Sequence, residues 1–207
     1  GYMKLKLLIG LCAAMCLILA VGCGDDVDVA ETQRSNIERY LTSSHTPRLI
    51  NVKEVENSLV PNPPFYELID FSVYRYIATY YDADRKLKPA IKQGDEVTLT
   101  FTAYVFTGSA PSLSSVYLSN DQSVINALRE AGLNADYWDV EPLTIKIGET
   151  NIIKGVTTSL IGCREGDSVE AYMTLDAAYE DDVVGVVPKE SSVAWFYTID
   201  SVNSAAL

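Results

Sequence analysis

Histidine is almost missing from this chain, and cysteine is rare: His45 is the one histidine, and the four cysteines are Cys12, Cys16, Cys23 and Cys163. Beyond residue 23 only Cys163 remains, so an internal disulfide there is excluded, and zinc and iron–sulfur sites are left without a ligand set. Cations are scarce too, with 16 Lys and Arg against 28 Asp and Glu and a formal net charge of −12. A body this acidic lacks the basic face that nucleic-acid phosphates require. No internal repeat or low-complexity tract is visible. Long apolar runs are limited to Leu7–Gly22, whose 16 residues fall short of the roughly 20 needed to cross a bilayer.

That run follows Lys4 and Lys6 and ends in the small residues Ala20, Val21 and Gly22 before Cys23. Positive head, apolar centre and small-residue boundary are the order of a cleaved export signal, predicted here over residues 1–22. The stretch Leu19-Ala20-Val21-Gly22-Cys23 resembles the bacterial lipobox, which implies a diacylglyceryl group on Cys23 and an exported protein anchored to the cell envelope, at the outer membrane on its periplasmic or surface face. The alternative is an ordinary secretory signal with an incidental cysteine. Each buried methylene of a lipid contributes about 0.8 kcal/mol, so several acyl chains hold a folded body on a membrane. Loss of residues 1–22 removes Lys4 and Lys6 and no acid, moving the net charge from −12 to −14. Residues 23–34, opening on Gly24-Asp25-Asp26-Val27-Asp28, are too polar to fold alone and are expected to form a lipidated tether.

An N-terminal extension is expected over residues 35–89. Ser35 to Leu41 carries Ile37, Tyr40 and Leu41 on one side and reads as a short helix. Pro47, Pro61, Pro63 and Pro64 make the following stretch irregular. Tyr74 to Tyr81 reads as an aromatic strand that either extends a sheet or serves a partner. From Gly94 the period is two: Val97, Leu99, Phe101, Ala103 and Val105 alternate with polar residues, as do Leu143, Ile145 and Ile147, then Val169, Ala171, Met173 and Leu175, then Val193, Trp195, Tyr197 and Ile199. The pattern predicts an antiparallel sheet covered on one face. Ile152, Ile153, Val156 and Leu160, ahead of Gly162, supply the helix to cover it. Ser123 to Ala131 is a second helical stretch inside an insertion at about 120–141. Cys163, with no histidine near it in sequence, reads as a small packed hydrophobe. Asp181-Asp182 and the acidic run 136–141 lack the spacing of a calcium loop and read as solvated surface.

Residues 90–202 resemble the FKBP-type peptidyl-prolyl isomerases. The resemblance rests on Gly94-Asp95-Glu96-Val97 with Phe101-Thr102, on Pro142 to Gly148, on Asn151-Ile152-Ile153-Lys154-Gly155, on Leu160 to Asp167, and on Ala178-Tyr179, Gly185-Val186-Val187-Pro188 and Val193 to Phe196. It implies an α+β fold for residues 90–207, a curved antiparallel sheet half-wrapped around a short helix, with no cofactor and no metal. It further implies a proline pocket lined by Phe101, Tyr117, Leu143, Ile152, Val156, Val186, Val187 and Trp195. The backbone N–H of Ile153 and the hydroxyl of Tyr179 would be the catalytic hydrogen-bond donors, and the partners would be proline-containing segments of exported proteins. The chain departs from the family at the pocket: Val156 stands where a tryptophan floor is usual, Leu118 where an aspartate is usual, Phe101 in place of a tyrosine and Asn151 in place of an acid. Two readings therefore stay open, a membrane-anchored isomerase or folding factor and a non-catalytic peptide- or protein-binding module of the cell envelope.

Overall fold

Strict alternation along the later strands, interrupted where a strand must bend, builds one sheet in the computed structural model, which describes residues 28–134 and 138–205. The expected signal peptide, Cys23 and the first residues of the tether lie outside the described residues. The strands are β1 Ile50–Asn51, β2 Phe65–Ile69, β3 Val73–Ile77, β4 Glu96–Phe106, β5 Val116–Ser119, β6 Leu143–Lys146, β7 Ser168–Met173 and β8 Ser192–Asn203. They run β1-β2-β3-β7-β8-β4-β5, with β6 also on β4, and every pair except β1-β2 is antiparallel. The long β4 pairs β6 through Glu96–Leu99 and β5 through Thr102–Tyr104. Register shifts at Thr98/Leu99 and Ala103/Tyr104 are where extra residues bend and twist the strand. The expected open, curved α+β sheet is present.

Helix α3, Lys154–Leu160, lies against the inner face and buries Val156 and Leu160 among Val97, Leu99, Phe101, Val169, Ala171, Trp195 and Ile199. Gly162 follows it at φ +84°, the left-handed turn that ends a helix cheaply only at glycine. Gly155 is there for closeness: a Cβ on it would stand 2.4 Å from Met173 Sδ and 2.9 Å from the Ala177 carbonyl oxygen. Arg75 points inward from β3 and its Nη1 donates to the carbonyls of Ser159, at 2.9 Å, and Ile161, at 2.6 Å, while its remaining nitrogens pair with Glu67. Two carbonyls at the end of α3 are thereby satisfied, that of Ser159 with a weaker second donor in the Cys163 thiol at 3.2 Å. Tyr197 ties the same helix to β8 through Ser159 Oγ at 2.8 Å.

The outer face departs from expectation. Sequence alternation predicts a solvated face, yet helix α1, Val29–Arg39, and the wide turn Tyr40–Ser44 after it cover Tyr66, Tyr74, Tyr76, Phe106, Tyr172 and Ala194, burying Ile37 and Leu41 completely. Tyrosine explains the difference: its ring is apolar enough to build a core while its hydroxyl needs a partner, so a Tyr at an outward position is no mark of solvent. Tyr74 donates to Glu38 and Tyr172 to Glu170. Helix α1 also starts earlier than the Ser35 expected from sequence, because Asp28 accepts the Glu31 N–H as its cap. The Tyr-rich strand extends the sheet as β3, joined to β7. The Pro-rich stretch contributes a strand as well, β2, entered just after Pro64. The second helical stretch forms as α2, Gln122–Glu130, capped by Asp121.

His45 clamps the turn after α1 to the sheet. It is 4% exposed, with Nε2 at 2.8 Å from the Glu170 carboxylate and Nδ1 on the Pro47 carbonyl. Both partners accept, so the ring that fits them carries two protons. Burial alone would lower its pKa, but the hydrogen bonds it donates to Glu170 and Pro47 outweigh it and the value is raised. A histidine raised in the folded state contributes stability that is complete below its unfolded pKa of about 6.5 and is lost as pH climbs through the folded value. Chemical unfolding of the full chain across pH 6 to 9 is expected to give falling stability, and His45→Gln to remove that slope.

Candidate functional site

Where α3 begins, the sheet curls away from it and leaves a hollow of about 520 Å³ lined by Phe101, Leu118, Leu143, Asn151, Ile152, Ile153, Tyr179, Asp182 and Trp195. Strand β4 supplies Phe101 and β8 supplies Trp195, whose rings stack at 4.5 Å between centroids and 9° between planes. Buried Asn120 sets the height of Phe101: its Oδ1 accepts the Phe101 N–H at 2.7 Å, and its Nδ2 donates to the carbonyls of Leu99 and Glu141 at 3.0 and 3.1 Å. Those bonds bridge the stretch of β4 between its pairings with β6 and β5, where ladder hydrogen bonds are missing. Nothing in the local pattern marks Asn120 for that duty, and only a strand bend occurring at that point requires it.

Of the residues expected at the pocket, the structure brings Phe101, Leu143, Ile152, Ile153, Tyr179 and Trp195 together around the hollow. Val156 and Val187 are fully enclosed in the main core instead. Val186 stands 74% exposed at the tip of the 183–187 turn, away from the hollow lining. Tyr117 lies behind the wall, where its hydroxyl is 3.2 Å from the Tyr179 hydroxyl and accepts from Trp195 Nε1 at 2.8 Å. Leu118 and Asn151, which stand where the family pattern has acids, line the hollow too, and Asp182 completes the lining without having been expected there. Asp182 escapes notice in the sequence because a loop acid looks like solvated surface.

Two hydrogen-bond donors face this apolar hollow. Ile153 is the residue just before α3, at φ −54° and ψ 139°, and among the described residues nothing accepts its N–H. Tyr179 is the second, and burial raises its pKa while the hydrogen bond from Tyr117 pulls the other way. Tyr117 itself is pushed far up by burial, then by its neighbour Tyr179. Both phenols stay protonated at neutral pH and serve as donors, not as bases. Cys163 lies elsewhere in the core, its thiol pushed up to about 11 by burial, so it stays a neutral packed side chain.

A depression of about 440 Å³ around Thr79, Asp82, Arg85, Lys88 and Asp167 differs in kind. It is lined by charged groups, Arg85 gripping Asp167 through two contacts of 2.8 and 2.9 Å and Lys88 donating to the Glu165 carbonyl, which leaves no apolar seat. Among the described residues no group of three or more His, Cys, Asp or Glu is placed to hold a metal ion, and no helix is long and apolar enough to cross a membrane.

No protein-family profile matches the chain, and no curated protein matches it by sequence. Among solved structures it is similar to the crystal structure of the three FKBP domains of wheat FKBP73, with a TM-score of 0.50 and 15% identity, over 68% of this chain and 51% of that one. The chain thus spans about half the length of that protein. The likeness establishes the fold, which is FKBP-like: a curved antiparallel sheet folded about one short helix, with the hollow at the helix's start.

Proposed function

We propose that the chain is a membrane-anchored peptidyl-prolyl cis-trans isomerase or folding factor for exported proteins, held in the bacterial cell envelope by lipid on Cys23. The observation that supports it best is the chemistry of the hollow: mostly apolar walls, an Ile153 N–H that finds no acceptor among the described residues, and the Tyr179 hydroxyl on the lining. An X-Pro amide offers a carbonyl acceptor and no N–H, so it leaves no donor stranded in such a place. Rotation about that amide is opposed by a barrier of about 18–20 kcal/mol that comes from its resonance. An apolar wall around the ring favours the twisted, less polar amide over the planar one, which is differential binding of the transition state. No proton transfer is required of any side chain. Proline-containing segments of exported proteins are the proposed partners, without metal or cofactor, and lipid is the proposed attachment to the membrane.

A rival reading, a non-catalytic module that grips proline segments, draws support from Leu118 facing the hollow where the resemblance implies an aspartate. A protease-coupled assay on a chromogenic Leu-Pro-Phe peptide separates the two, run with the full chain in detergent. Acceleration of cis-to-trans conversion, reduced about tenfold in Tyr179→Phe as one hydrogen bond of about 1.4 kcal/mol would require, is the expected result. Peptide binding by calorimetry without acceleration would favour the module, and neither binding nor acceleration would refute both.

A further inference from the structure

Tyr117 does not line the hollow, yet it governs what the hollow can offer. An indole nitrogen has a proton to give and no lone pair to receive one, so along the 2.8 Å contact Trp195 donates and Tyr117 accepts. The Tyr117 proton then has a single acceptor among the described residues, the Tyr179 oxygen at 3.2 Å. The opposite direction, Tyr179 donating to Tyr117, would leave the Tyr117 proton enclosed and unpartnered, which burial penalises. With the direction so fixed, Tyr179 receives a hydrogen bond and keeps its own proton free on the side of the hollow. The stack of Trp195 on Phe101 holds the first link of this chain in place.

We infer that Tyr117 and Trp195 are positioning residues that act through Tyr179, orienting its hydroxyl proton toward the carbonyl oxygen of an X-Pro amide in the hollow. The inference deepens the proposed function and rests on it for the ligand, while the direction of the relay stands on geometry alone. It also gives the site a preference. A ligand that presents an acceptor at Tyr179 is matched, and one that presents an N–H there meets a proton already in place. Tyr117 lies outside the hollow's lining and Trp195 meets a ligand only as part of the apolar wall, and neither supplies charge or a proton to the amide.

Two measurements on the full chain in detergent test the inference, with a chromogenic Leu-Pro-Phe peptide as the probe. The first is the titration midpoint of Tyr179, followed by carbon NMR of ring-labelled tyrosine. Losing a donated hydrogen bond destabilises the phenolate, so Tyr117→Phe is expected to shift the Tyr179 midpoint upward. A midpoint that stays or falls would overturn the relay, whether or not the chain turns over peptide. The second is a double-mutant cycle on kcat/KM. Tyr117→Phe is expected to cost about fivefold to tenfold, and to cost nothing further on top of Tyr179→Phe, because the two act as one unit. Additive losses would overturn the inference. Trp195→Phe keeps a ring on Phe101 and breaks the chain one link earlier, so it should lower kcat/KM in the same range. Tyr117→Phe with Trp195→Phe strands no buried N–H and should match either single variant, and a loss appearing only where the indole is stranded would mark the effect as structural and overturn the inference. If the parent chain neither binds nor turns over the peptide, the functional reading fails, and the Tyr179 midpoint still decides the relay.

Discussion

A chain cut to residues 90–207, the span that the sequence pattern sets apart from the N-terminal extension, is expected to come out insoluble or without fixed tertiary packing. The cause is the doubled cover of the sheet. Removing the earlier residues strips α1 from Phe106, Tyr172 and Ala194, and it also takes β3 away from the whole length of β7, from Val169 to Met173. An apolar outer face and an open strand edge are exposed together, the combination that leads to edge-to-edge association. In the full chain the same cover can be thinned more gently. Ile37→Ala or Leu41→Ala, each at a fully buried position, should cost about 3 kcal/mol. Soluble yield and near-ultraviolet circular dichroism of the fragment beside the full chain measure the first effect, and urea unfolding measures the second. A fragment with sharp near-ultraviolet bands would show that the outer helix is ornamental to stability.

Arg75→Leu should lower the unfolding free energy by about 3–5 kcal/mol, the range found when one partner of a buried charged network is removed. Leucine fits the inner face but leaves the Ile161 carbonyl and the Glu67 carboxylate without their donor, and the Ser159 carbonyl with only the weak Cys163 S–H. The desolvation of those groups then goes uncompensated. For a protein of this size the loss corresponds to a fall in Tm of roughly 10 °C. Lysine keeps the charge but has no planar fork to span two carbonyls and a carboxylate, so Arg75→Lys should recover only part of the loss. Thermal unfolding of the three proteins decides the matter, and equal midpoints for parent and leucine variant would contradict the assignment.

Much of the sheet was legible because the later strands alternate cleanly and because the turns at Gly162 and Gly166, both with positive φ, demand glycine. The short helix was legible from Val156 and Leu160, and the aromatic side of the hollow followed from the family pattern through Phe101, Tyr179 and Trp195. What stayed hidden has a common cause. Tyr74, Tyr76 and Tyr172 fit equally well as solvated or as buried positions, so the second core gave no periodic signal. Helix α1 was cut short in the sequence reading because Asp28 and Glu31 look like more of an acidic tether, although one caps the other's N–H. Asn120 and Arg75 satisfy backbone groups that become unpaired only once strands and helix have met, and a single-sequence pattern carries no trace of that. The relay behind Tyr179 belongs to the same kind, since Tyr117 and Trp195 are 78 positions apart along the chain.

Gln33, on α1, donates to the Glu190 carbonyl at 2.8 Å and accepts the Leu175 N–H at 2.8 Å. One side chain thus pins both feet of the segment that carries Tyr179. Tension applied to the chain ahead of Val29 would load this staple first, peeling the helix from the sheet and slackening the segment between its two pinned ends.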